Sequence, residues 1–70
     1  MTQKERLMAT VGRIKHYKLL LNKFGYEKLT LVVGYELEKF IKENETIPNM
    51  EIIVSSHFRD TRFVIGIRGD

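Results

Sequence analysis

Lys28-Leu29-Thr30-Leu31-Val32-Val33-Gly34-Tyr35-Glu36-Leu37 is the stretch that decides the fold of this 70-residue chain, because it fits two secondary structures. Its apolar residues and those that follow recur at the spacing of one helix face, at Leu29, Val33, Leu37, Phe40 and Ile41. This spacing predicts a continuous helix over about 27–44, in which Glu38 and Lys42 form a favourable i, i+4 pair. Gly34 would cost that helix about 1 kcal/mol relative to alanine.

The same stretch also fits a strand. Residues 28–33 are rich in β-branched side chains, which favour strands. Leu31, Val32 and Tyr35 also lie off the helix stripe. In this alternative a strand at 28–33 ends at Gly34 and a short helix follows over 35–44. The local pattern leaves both interpretations open.

The N-terminal segment has the pattern of a long helix. Residues 3–24 contain no proline, and most of their apolar side chains fall within one arc of about 140°: Leu7, Val11, Ile14, Tyr17, Leu21 and Phe24. Gly25 supplies the left-handed residue that commonly ends a helix. Met8, Leu19 and Leu20 lie outside the arc among lysines, which predicts that the helix also contacts another chain.

The C-terminal third reads as strands. Pro48 marks a turn after the second helix, and two alternating segments follow over about 50–56 and 61–68. The predicted fold class is therefore α+β, with an N-terminal helical hairpin (about 3–24 and 27–44) before a C-terminal β-hairpin (about 50–56 and 61–68). The alternative is α-β-α-β-β with a strand at 28–33. In both cases residues 1–70 form a single small domain.

Size and composition predict that this domain gains support from a second chain. A domain of this length buries only about 60% of the surface that its unfolded chain exposes. The sequence contains no cysteine and only two histidines, His16 and His57, so we expect no disulfide, no metal site and no cofactor. We therefore expect a homodimer.

Targeting signals are also sparse. The first eight residues lack the apolar core of a signal peptide, and apolar runs such as Leu31–Val33 reach only three residues, far fewer than the about 20 residues of a membrane span. Together with the lack of cysteine, this pattern predicts a cytoplasmic protein without membrane contact.

The charge is unevenly distributed. Residues 1–25 carry six basic residues and one acidic residue, a net charge of +5, whereas residues 26–45 have a net charge of −2 and residues 46–70 of zero. A basic helix can attract phosphate or an acidic protein. Nucleic-acid binding is therefore the alternative function, through helix one and the C-terminal arginines: Arg13, Lys15, Lys23, Arg59, Arg62 and Arg68.

The polar side chains do not predict an enzyme. Ser55, Ser56, His57 and Asp60 contain the residue types of a serine hydrolase triad. Side chains within one hairpin alternate between the two faces of the sheet, so these residues would not align as nucleophile, base and orienting carboxylate. We expect Ser56 and Asp60 to satisfy backbone groups of the loop instead.

The segment Gly34-Tyr35-Glu36-Leu37-Glu38-Lys39-Phe40-Ile41, preceded by a helix that ends at Phe24-Gly25, resembles the sporulation-regulating aspartyl-phosphate phosphatases. Those proteins are small two-helix hairpins whose second helix carries a Ser-Gln-Glu-Leu-Asp signature. Glu36 and Leu37 match it, while Gly34, Tyr35 and Glu38 replace the serine, glutamine and aspartate. The similarity covers about half the chain and implies, as a third function, regulation of response-regulator phosphorylation.

The function that we expect first is that of a small regulatory protein, an inhibitor or adaptor, that docks on a protein partner. The predicted contact residues are the apolar side chains that exceed what one core-facing side of each predicted helix requires. They are Met8, Leu19, Leu20, Leu31, Val32 and Tyr35.

Overall fold

The computed structural model describes residues 2–44, 47, 50–59 and 61–67. Within them the chain forms, in order, α1 (Gln3–Lys23), β1 (Leu29–Val33), α2 (Tyr35–Asn44), β2 (Glu51–Val54) and β3 (Phe63–Ile67). The α+β class predicted from the sequence is confirmed. In this part of the chain neither helix combines the length and the apolar character that crossing a bilayer requires. The cytoplasmic location stays a prediction.

The stretch that fits two structures forms a strand, so the predicted continuous helix over about 27–44 is wrong. β1 is the central strand of a three-stranded sheet of order β2-β1-β3. Its alternate residues Leu29, Leu31 and Val33 are at most 4% exposed. A helix would have kept Leu31 and Val32 off the core stripe, so the strand buries more apolar surface. The helical hairpin implied by the phosphatase resemblance is likewise not formed.

The predicted C-terminal β-hairpin is also wrong, because β2 and β3 lie on opposite sides of β1. β2 pairs parallel to β1, with Leu31 beside Ile52, and α2 makes the crossover between the two strands. β3 pairs antiparallel to β1, with Leu31 beside Ile65. The strands are shorter than the predicted 50–56 and 61–68. Their alternation indicated strands correctly, but alternation does not identify the pairing partner.

Both helices pack on one face of this sheet. The core contains residues from α1, β1 and α2, together with Ile47: Leu7, Val11, Ile14, Leu31, Val33, Leu37, Ile41 and Ile47. The buried hydroxyl of Thr10 donates a hydrogen bond to the carbonyl oxygen of Arg6 at 2.9 Å, so this polar group is satisfied within α1.

Side-chain and backbone caps define both ends of α1. The Thr2 hydroxyl accepts a hydrogen bond from the backbone N–H of Glu5 at 3.2 Å. At the other end Gly25 has a φ of 93°, as predicted, and the N–H groups of Gly25 and Tyr26 donate to the carbonyls of Asn22 and Leu21. These paired bonds form a Schellman motif, so α1 ends sharply before the turn into β1.

Gly34 is buried where β1 passes into α2, and the loop after β2 crosses directly over it. A Cβ added at Gly34 would lie 2.5 Å from the carbonyl oxygen of Arg59 and 3.1 Å from that of Phe58. The loop is also joined to β1 by a 2.9 Å bond from the Ser55 N–H to the Val33 carbonyl. The glycine therefore permits close contact with the β2–β3 loop.

Candidate functional site

The C-terminal third of α1 is not buried against the sheet. A 21-residue helix is about 31 Å long, whereas a five-residue strand covers about 17 Å. The buried residues of α1 accordingly end at Ile14. Tyr17 and Phe24 continue the same apolar stripe but are 48% and 76% exposed. We call Tyr17, Leu20, Leu21 and Phe24 the overhang, because they follow the last buried residue of α1 and are exposed or half-buried.

A shallow apolar groove separates the overhang from β3. This edge groove has a volume of about 500 Å³ and is lined by Tyr17, Leu20, Leu21, Phe24, Phe63, Val64 and Ile65. The rings of Tyr17 and Phe63 lie with their centroids 6.1 Å apart at an interplanar angle of 47°, a favourable aromatic geometry that fixes the inner end of the groove. The lining side chains carry no charge.

β3 presents its outer edge beside this groove. Among the described residues, β3 pairs only with β1, on its inner side. Its sequence, Phe-Val-Ile-Gly-Ile over residues 63–67, contains neither a charged residue nor a proline. Charged side chains and proline are the usual means by which edge strands avoid pairing with another chain. The edge of β3 is therefore chemically suited to accept a further strand.

The sheet face opposite the helices carries an apolar row. Val32 lies beside both Ile53 and Val64 in the strand register, so the three side chains share this open face. Ile53 and Val64 are 44% and 52% exposed. Val64 also lines the edge groove, so the apolar surface continues around the edge of β3 from one face of the sheet to the other.

The contact residues predicted from the sequence do not form one surface. Leu31 is fully buried at the centre of the sheet, so its prediction as a contact residue is corrected to a core role. Val32 lies on the open face. Met8, Leu19 and Tyr35 are 53%, 67% and 68% exposed but line no part of the edge groove. Leu20 is the one predicted contact residue that lines it.

The sequence interpretation missed the rest of the groove by assigning its residues to the core. Tyr17, Leu21 and Phe24 lie on the core stripe of α1, and Phe63 and Ile65 lie on the core face of β3. The available signal was length. An apolar stripe from Leu7 to Phe24, about five helical turns, exceeds what strands of four or five residues can cover.

A second groove lies between the start of α1 and α2. It has a volume of about 350 Å³ and is lined by Gln3, Leu7, Tyr35, Glu36, Lys39, Phe40 and Glu43. The Gln3 side-chain amide donates a hydrogen bond to the Glu36 carboxylate across it. Glu38 and Lys42 form the predicted i, i+4 pair on α2 at 3.2 Å. The Gln3–Glu36 hydrogen bond joins α1 to α2, whereas the Glu38–Lys42 pair lies within α2.

The basic residues predicted for nucleic-acid binding are exposed but dispersed. Arg13 and Lys15 point to nearly opposite sides of α1, because two residues span just over half a turn. Lys23 lies at the far end of the helix, and Arg59 and Arg62 lie in the loop before β3. Arg68 lies outside the described residues.

The serine and histidine of the β2–β3 loop form a turn. The Ser55 hydroxyl accepts a hydrogen bond from the backbone N–H of His57 at 3.2 Å, which is the loop role predicted for Ser56. Asp60, like Pro48, lies outside the described residues. Within residues 2–44, 47, 50–59 and 61–67 no three histidine or acidic side chains come together in a way that could hold a metal ion.

Comparison of the chain with protein-family models, with curated proteins and with solved structures gave no match. The edge groove, the outer edge of β3 and the open face are thus the features from which a function can be argued.

Proposed function

We propose that this chain is a small regulatory protein of the inhibitor or adaptor type, which docks on a protein partner through the edge groove and the outer edge of β3. The observation that carries the proposal is the overhang, because four apolar side chains of α1 line a groove along β3, whose outer edge has no partner strand among the described residues. A partner segment that paired with β3 would fill this space.

Both kinds of interaction needed for strand addition are present at this site. The backbone of β3 offers N–H and C=O groups in a row, and these give affinity without requiring a particular sequence. The overhang and Phe63 offer apolar surface on one side of the added strand, and this surface selects partners with apolar alternate residues. The proposed partner is therefore an extended segment with alternating apolar side chains.

The test is site-specific photo-cross-linking in the native host. A benzoylphenylalanine residue replaces Leu20, which lines the groove, or Leu19, which is more exposed but lies outside it. Because the two positions are adjacent in sequence and carry the same residue, each serves as the control for the other. We expect several-fold more protein cross-linked at position 20 than at position 19, and mass spectrometry identifies the product. Equal yields at the two positions would contradict the proposal.

Nucleic-acid binding is the second candidate, and the net charge of +5 on residues 1–25 favours it. The contacts would be made by the exposed side chains of Arg13, Lys15, Lys23, Arg59 and Arg62. The cross-linking experiment distinguishes this function when each sample is divided and one half is treated with nuclease. A cross-linked product that nuclease shortens would identify nucleic acid as the partner. Loss of that product on raising the salt concentration would support the phosphate contacts.

A further inference from the structure

We propose that the occupant of the edge groove is a second copy of this chain, paired antiparallel through β3 about a twofold axis at Ile65. This inference rests on the proposed function and names the partner of the same site. The product is a continuous six-stranded sheet of order β2-β1-β3-β3-β1-β2, with the four helices on one face.

The sequence of β3 suits pairing with itself. With the axis at Ile65, each Phe63 faces Ile67 of the other copy, and each Val64 faces Gly66. The pairs on the helix side join an aromatic ring to a β-branched side chain and isoleucine to isoleucine, which are favourable cross-strand combinations. On the open face a branched residue meets a glycine, so Val64 has room. No like charges face each other within the five paired residues.

The overhang provides the remaining contacts. Tyr17, Leu20 and Phe24 line the groove along β3, and neighbouring strands lie about 4.8 Å apart, so a strand added at the outer edge of β3 would lie beside these side chains. Tyr17, Leu20 and Phe24 are 48%, 39% and 76% exposed, and Val64 and Ile67 are each more than half exposed. At 150–250 Å² for a whole aromatic side chain, this patch amounts to roughly 500 Å² per copy. The strand backbone adds area toward the about 800 Å² per partner of a stable interface.

Self-pairing at β3 also closes the assembly. An isologous pair uses the same surface on both copies, so the outer edge of β3 is covered in each copy. Assembly therefore stops at two chains. β2 then forms both outer edges. β2 has four residues and begins with Glu51, so it is shorter than β3 and carries a charge, two features that limit further strand addition.

The experiment uses single-cysteine variants of the full chain, which contains no cysteine of its own. Directly opposed residues of an antiparallel pair have Cα atoms about 4.5–5.5 Å apart, within the range that a disulfide spans. We expect Ile65→Cys to form a covalent dimer rapidly under mild oxidation. Ile67→Cys is the control on the same strand, because its two copies would lie about 14 Å apart.

Equal cross-linking of the Ile65→Cys and Ile67→Cys variants, or cross-linking of Ile67→Cys alone, would overturn the proposed register.

Sedimentation equilibrium of the cysteine-free wild type provides a test that does not depend on either substitution. We expect a reversible dimer that Leu20→Glu dissociates, with at least a tenfold weaker association, and that Leu19→Glu leaves unchanged. A wild type that stays monomeric up to millimolar concentration would overturn the inference. A different protein cross-linked at position 20 in that case would leave the proposed function standing.

Discussion

Gly34 is the residue at which the absence of a side chain allows a close backbone contact with the β2–β3 loop. A Cβ added at Gly34 would lie 2.5 Å from the carbonyl oxygen of Arg59. This oxygen belongs to the backbone of a loop that is hydrogen-bonded to β1, so it cannot move aside at low cost. We predict that Gly34→Ala lowers the free energy of unfolding by about 1–3 kcal/mol, the usual cost of overpacking. Urea denaturation monitored by circular dichroism measures this change.

Gly12 provides the matched control for that substitution. It lies on the exposed side of α1, and a Cβ there meets nothing within 4 Å. We predict that Gly12→Ala raises the free energy of unfolding by up to about 1 kcal/mol, because alanine loses less conformational freedom in a helix. A Gly34→Ala variant as stable as Gly12→Ala would show that the loop does not pack on Gly34 as described.

At the scale of the element, Leu31 distinguishes the strand from the helix that the spacing also fits. Leu31 is fully buried in β1, whereas it would lie off the core stripe of a helix. We predict that Leu31→Ala lowers the free energy of unfolding by about 2–5 kcal/mol, as a cavity in a packed core does. Val32→Ala, on the open face, should cost about 1 kcal/mol or less. Denaturation of both variants measures the difference, and similar small losses would contradict the central strand.

The elements were more predictable than their pairings. α1 was predicted almost to the residue because a long apolar stripe and Gly25 are local signals. The residues around Leu31 fit both the helical and the strand periodicity. The strand forms because β1 is buried between β2 and β3. That burial depends on residues more than 20 positions away, which no local pattern contains.

At the scale of the whole molecule, the candidate site arises from a mismatch of lengths. Leu20 was predicted as a contact residue from its place outside the core arc, but the overhang as a unit was not. Tyr17 and Phe24 have the spacing of core residues but are 48% and 76% exposed, because three short strands do not cover the whole length of α1. The site therefore depends on the relative sizes of a helix and a sheet, which become known only once the strands are paired.

The domain was expected to need a second chain because 70 residues bury little surface. In the proposed dimer the two chains meet at β3. β3 would gain a neighbour along its whole length, and the overhang would gain a strand to cover. If this pairing forms, the added burial stabilises the fold and the association together, so the apparent stability should rise with protein concentration.

Hydrogen exchange of the β3 amides, measured by nuclear magnetic resonance at micromolar and millimolar protein, tests the paired edge most directly. Every second amide of residues 63–67 points away from β1, and these amides report on the outer edge alone. We predict that their exchange slows markedly at the higher concentration, while the outer-edge amides of β2 continue to exchange rapidly. Outward amides of β3 that exchange as fast as those of β2 at both concentrations would contradict the pairing.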